Sequence, residues 1–277
     1  MNKLFAIDKY MIAKLKAFLL HFLLSGMVIL CFAGLIWFVW YPNPFLKAEG
    51  GLEIVGLLIG VDLILGPTLT AMVYKKGKKG LIFDLSLIIL LQFGALAYGM
   101  NALYQERPQY VAFEVDRFVL VPAASINTDE LKDKTLLTGV FDKPRVVYIE
   151  LEEDAKKRAD ILLETIYGGK GYAERPEYYH EISHYVDTLG KGDRQLELAR
   201  IVELYPEFEL AIKKLAVRHN AKPEQFVFYP LRGKQRNMIL VLKREDLTVI
   251  GGLDIDPWFV ESGNTDINKQ QKPASQE

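Results

Sequence analysis

The sequence has a single cysteine, four histidines and very little charge in its first third, and each scarcity excludes something. Cys31 lies in an apolar run with no second cysteine to pair with, so no disulfide forms within the chain, and cysteine usage does not identify a redox compartment. There is no basic excess of the kind that marks a nucleic-acid footprint: residues 106–277 hold 25 Lys or Arg against 30 Asp or Glu, a formal −5. No phosphate-cradling loop is present, because GGKGY at 168–172 follows a helical pattern and its lysine has no Ser or Thr beside it. Serine nucleophile elbows and a cysteine nucleophile are absent as well. GGLDIDPW brings Asp254 and Asp256 close together but lacks the rest of a calcium loop, so it reads as a turn after a strand.

What the chain has in excess is apolar residues, at 50%, beside 25% charge. The two are segregated, since residues 1–105 hold only nine Lys or Arg and five Asp or Glu. Three apolar runs, at 17–40, 54–74 and 81–103, match the roughly 20 helical residues needed to cross about 30 Å of hydrocarbon. Their apolar residues fall on all sides of the helix, as lipid contact requires. The fold class expected is α+β: a three-helix transmembrane bundle over 1–105, a periplasmic α+β domain over 106–261 and a disordered polar tail over 262–277.

Flanking charge sets the orientation. Lys3, Lys9, Lys14 and Lys16 precede the first run, and Lys75, Lys76, Lys78 and Lys79 separate the second from the third, whereas the loop after the first run has only Lys47. The positive-inside rule places the N-terminus and the lysine turn in the cytoplasm, and three spans then carry the C-terminal part to the opposite face. Trp37, Trp40, Tyr41, Tyr98 and Tyr104 read as interfacial aromatic belts. The first run is too long for a signal-peptide core and no A-x-A site follows it, so it reads as a retained anchor.

Polar groups inside these runs single out candidate sites. Asp62 lies about 12 Å below the outer end of the second helix, where an ionised carboxylate needs a partner or a function. Gly66 follows one turn later, and Pro67 removes an amide donor, which predicts a kink beside the acid. Gly56 and Gly60 form a small-xxx-small pair that lets a helix of this chain or of another protein approach closely. The plainer reading is that Asp62 only bonds to Thr68, Thr70, Gln92 or a serine within the bundle. Asp84, near the lysine turn, reads as one half of an ordinary ion pair. The two aspartates differ in depth by roughly 10 Å, too far for an aspartyl protease dyad.

In the charged half, residues 106–122 alternate as one half-buried strand, with a second strand at 145–151. Helical patterns cover 152–167, 177–189 (opened by Pro176), 194–204 and 208–219, and strands return at 225–230, 238–243 and 248–254. One helix would carry His180, Glu181 and His184 as H-E-x-x-H, which places two imidazoles on one face as zinc ligands with the glutamate as general base. No extended metalloprotease pattern follows, and the plainer reading makes Tyr178, Tyr179, Ile182 and Tyr185 the packing face of that helix. A sensor role is disfavoured because the cytoplasmic segments are too short for an output domain.

KAFLLHF at 16–22, WYPNPFLKAEGG at 40–51, GVDLILGPTLT at 60–70, KKGKKGLIFDLSLIILLQFGALAYG at 75–99 and RPQYVAFEVDRFVLV at 107–121 resemble the type IV pilin accessory proteins, the TfpX/TfpZ family. The resemblance runs over about residues 16–122. It implies a multi-pass bacterial inner-membrane protein that associates with a type IV pilin, aids pilin stability or pilus assembly alongside other assembly components, and has no catalytic activity and no cofactor. Pilins enter the membrane by one apolar helix carrying an acidic residue. Asp62, Gly56, Gly60, Gly66 and Pro67 are therefore the residues expected to meet such a helix. The alternative is a membrane-anchored zinc hydrolase built on His180, Glu181 and His184.

Overall fold

The computed structural model describes residues 2–192 and 194–262, so all but the first residue of the polar tail expected to be disordered lies outside the described residues. Among the described residues three helices are long and apolar enough to cross a membrane: Tyr10–Trp40, Gly51–Val73 and Leu81–Glu106. Each carries large apolar side chains on its outside, with Leu30, Leu57, Ile64, Ile82 and Leu90 mostly exposed, as a lipid-facing surface requires. The first and third helices each pack against the second. Gly99 lets the third close on Leu58, and Gly26 of the first lies beside Leu63. At the lysine turn Gly77 and Gly80 take positive φ, and Lys78 pairs with Asp84 at 2.5 Å, the ordinary ion pair expected there.

The chain forms two compact units, one made of residues 1–39 and 51–106, the other of residues 40–50 and 107 onward. The second unit is built on a seven-stranded mixed sheet in the order β4-β3-β1-β2-β5-β6-β7. Its strands are β1 (Pro108–Glu114), β2 (Arg117–Pro122), β3 (Arg145–Ile149), β4 (Tyr179–Glu181), β5 (Phe226–Arg232), β6 (Met238–Lys243) and β7 (Val249–Leu253). β1 runs parallel to β3 and β2 parallel to β5, and the remaining neighbours are antiparallel.

Side chains alternate between two buried faces. Val111, Phe113, Leu120, Val227, Tyr229 and Leu240 join Ile182 and Leu189 on one face. On the other, Tyr110, Ala112, Val119 and Val147 pack with Leu136 and Ile161, while Phe228, Ile239 and Val241 pack with Ile201, Ile212 and Leu215 from helices Leu198–Leu204 and Glu209–Arg218.

Two expectations about this unit are corrected. Residues 106–122 are a hairpin rather than one half-buried strand: Glu114 pairs with Arg117, and Val115 turns the chain at φ 61°. No Asn-Gly or Asp-Gly signal marks that turn, and both strands are buried on both faces, which removes the one-sided alternation of a half-buried strand. Residues 177–189 do not form one helix. Tyr179–Glu181 pairs with β3, short 3₁₀ turns flank it, and only Val186–Gly190 is α-helical. The expected helix over 152–167 does form, as Ala155–Ile166, because Asp154 caps the N–H groups of Lys156 and Lys157 and Gly168 stops it at φ 84°.

The segment 40–50 between the first two spans is part of this unit's core. Phe45 and Ala48 are buried among the strands. The Ala48 carbonyl accepts from Gln235 N–H at 2.9 Å and Arg236 N–H at 3.1 Å, and Lys47 pairs with Asp254 at 2.7 Å. Gly233 permits this seat, since a Cβ there would stand 2.6 Å from the Ala48 carbonyl oxygen. Trp40 and Tyr41 are therefore not lipid-facing belt residues. They are 5% and 1% exposed, and the Trp40 indole N–H donates to the Val140 carbonyl, whereas Trp37 remains half exposed.

Candidate functional site

The second span is interrupted where the sequence places Gly60, Asp62, Gly66 and Pro67. Helix Gly51–Ile59 passes into a π-helical turn, Gly60–Leu65, before α-helix resumes at Gly66–Val73. Pro67 has no N–H to offer, and the wide turn absorbs this by letting Gly66 N–H reach back to the Val61 carbonyl. Thr68 Oγ1 donates to the Ile64 carbonyl at 2.6 Å, a back-bond to the preceding turn. The expected break beside the acid is thus a π turn.

Asp62 lies inside that turn, 5% exposed. Gln92 Nε2 of the third span donates to Asp62 Oδ1 at 3.2 Å and approaches the Asp62 carbonyl at 3.5 Å. Gly66 makes this approach possible, because a Cβ there would overlap the Gln92 amide. Gln92 Oε1 is buried and has no hydrogen-bond partner. On the other side of the second span, His21 Nδ1 and the buried Thr70 Oγ1 share a hydrogen bond of 2.6 Å.

These pairs line a cavity of about 680 Å³ within the helical unit. The first span contributes positions 13, 16, 17, 20, 21, 24, 25 and 28, and the third contributes 85, 89, 92, 93 and 96, each a stripe at helical spacing. Asp62 and Thr70 of the second span and Gln92 of the third form its polar floor, and Tyr74, just past the second span, with Lys16 and Lys76 belongs to the lysine-rich end. The result is an apolar-walled groove with a polar floor, suited to an apolar helix that carries a polar or ionised group.

The structure separates the five residues expected to act together. Asp62 and Gly66 meet at Gln92, and Pro67 is buried just past the π turn, at the start of helix Gly66–Val73. Gly56 and Gly60 do not line the groove, and among the described residues a Cβ at either would meet nothing within 4 Å, so no described helix fills that face. The plainer reading of Asp62 holds in part, since Gln92 is its partner. Sequence reasoning passed over His21, whose signal was a lone imidazole inside the apolar run 17–24.

The H-E-x-x-H reading loses its geometry. His180 and Glu181 sit on β4 and His184 on a 3₁₀ turn, so the two imidazoles share no helix face. His180 Nε2 lies 3.1 Å from Glu150, and Glu181 is paired with Arg145 at 2.5 Å. Among the described residues no group of three His, Cys, Asp or Glu is placed to hold a metal.

Comparison with known proteins agrees with the membrane half and extends beyond it. The family model described as "Fimbrial assembly protein FimB" matches residues 9–50, which contain the first span, His21 and the segment seated in the sheet domain. The fimbrial assembly proteins of Dichelobacter nodosus serogroups E1 and I are each 29% identical over 241 residues, 86% of this chain and 93% of theirs. The fimbrial assembly protein of D. nodosus serogroups C1 and C2 is 43% identical over 114 residues, 40% of this chain and 87% of that protein. No solved structure matches the chain. With identity at that level across nearly the whole of one relative, the chain belongs to the fimbrial assembly protein family.

Proposed function

We propose that this chain is a non-enzymatic accessory protein of the TfpX/TfpZ kind that stabilises type IV pilin, or assists its assembly into pili, by docking the pilin's transmembrane helix. The observation that carries the reading is the groove between the first and third spans, floored by Asp62, Gln92 and Thr70. Its stripe on the first span runs from position 13 to 28, about four helical turns, which matches a helix lying alongside. A buried carboxylate and an amide oxygen without a partner give a polar foreign group something to bind. Asp62 would make the contact, with Gly66 and Pro67 shaping the turn that presents it. Gly56 and Gly60 would accept a helix on the opposite, open face.

The relatives' shared name, fimbrial assembly protein, supports the pathway. The lysine distribution supports an inner-membrane protein with a cytoplasmic N-terminus and a periplasmic sheet domain.

The test is Asp62→Leu in the full-length protein, with a photocrosslinking residue placed at Leu20 on the groove wall. Pilin recovery and piliation should fall while the protein still reaches the membrane, and the crosslinker should capture pilin. Normal piliation together with no pilin adduct removes the reading.

A further inference from the structure

The loop 137–143 carries three exposed apolar side chains: Leu137 at 47%, Val140 at 42% and Phe141 at 78%. Val140 and Phe141 are the central residues of a tight turn closed in both directions. Gly139 N–H donates to Asp142 Oδ2 at 2.6 Å, and Asp142 N–H donates to the Gly139 carbonyl at 3.4 Å. Turn centres are ordinarily Pro, Asn, Asp or Gly, so a valine and a phenylalanine held at the tip are not explained by turn formation. Packing does not explain them either, because none of the three belongs to the sheet's buried clusters.

Two tethers fix where this tip lies. The indole N–H of Trp40, the last residue of the first span, donates to the Val140 carbonyl at 2.8 Å. Gln109, three residues beyond Glu106 at the end of the third span, donates from Nε2 to Thr138 Oγ1 at 2.9 Å. The loop is therefore tethered to two residues, Trp40 and Gln109, that lie in the chain within three residues of where it leaves the apolar helices. It stands at the level of the bilayer's polar boundary by covalent continuity. Apolar tips at that level lower their free energy by entering the acyl region, and the exposed Lys143 ammonium beside them suits the headgroups.

We infer that Leu137, Val140 and Phe141 form a lipid-inserting finger through which the sheet domain rests on the membrane surface. The bilayer, not another protein, covers this patch. The inference does not depend on pilin docking.

The test uses the full-length protein with Cys31→Ser and Phe141→Cys, labelled with an environment-sensitive fluorophore in vesicles of phosphatidylethanolamine and phosphatidylglycerol. Brominated acyl chains should quench and blue-shifted emission should mark the label at 141, while a Val115→Cys label at the far end of β1 stays aqueous. Emission from position 141 that is unshifted and unquenched overturns the inference. So does a shifted label that brominated lipid fails to quench, because a protein then covers the loop.

Discussion

Gln92 reaches across from the third span to Asp62 in the second, its Nε2 3.2 Å from Oδ1, and it can do so only because residue 66 has no side chain. A methyl group at that position overlaps the amide. Gly66→Ala should therefore destabilise the helical unit by about 1–3 kcal/mol, read as a lowered thermal aggregation midpoint in detergent. Gln92→Ala removes the obstruction, so the double substitution should cost less than the sum of the two single ones. Additive losses would show that Gly66 serves something other than the Gln92 approach.

Phe45, 2% exposed in the sheet domain, is a large apolar anchor of the segment between the first two spans. Phe45→Ala should cost about 3–5 kcal/mol and expose the domain to limited proteolysis. Lys47→Ala breaks only the partly exposed pair with Asp254 and should cost under about 1 kcal/mol. A fragment beginning at Arg107 lacks the anchor altogether and should melt earlier than the same fragment supplied with residues 40–50.

Val115 occupies the left-handed region at φ 61° and is 59% exposed, so truncation gives up little packing. Val115→Gly should stabilise the hairpin by roughly 0.5–1 kcal/mol, measured as a shift in denaturant midpoint at unchanged slope. A destabilised variant would indicate that the valine side chain makes a contact the hairpin needs.

Burial raises the Glu114 carboxyl above its ordinary value of 4.5, with Arg232 and Arg117 opposing the shift. The folded state consequently holds this proton more tightly than the unfolded chain does. Its contribution is complete below the ordinary value and disappears as pH climbs through the raised one. Glu114→Gln should be close to wild type near pH 4 and increasingly more stable than wild type toward about pH 7. Melting temperatures of both proteins across that range provide the check, and a constant difference would remove burial as the cause.

The spans and the last three strands were legible because their patterns are local. Apolar residues all round a helix, and short continuous apolar runs at 226–231 and 238–242 bounded by turn residues, need no distant partner to be read. The failures involve distant partners. Tyr178, Tyr179, Ile182 and Tyr185 mimic a helix face, but the β3 edge at Val147–Ile149 claims Tyr179–Glu181 as a strand, and the zinc reading falls with the helix.

Trp40 and Tyr41 looked like a lipid belt because the loop that receives the Trp40 indole lies 100 residues further on. At the candidate site Asp62 stood out as an acid in an apolar run, and Gln92 was one of several partners on offer. His21 was overlooked although the same rule marks it. The groove itself depends on which faces of three helices meet, which spacing within one helix does not determine.

Glu49 receives the backbone N–H of Lys234 from 185 residues away, beside the Ala48 contacts. The sheet domain therefore cannot close during synthesis until its β5–β6 hairpin has been delivered to the same side of the bilayer as residues 40–50. Until then Phe45 and the strand faces it covers remain open to water. Completion of the domain thus reports that the hairpin and residues 40–50 have reached one side of the membrane.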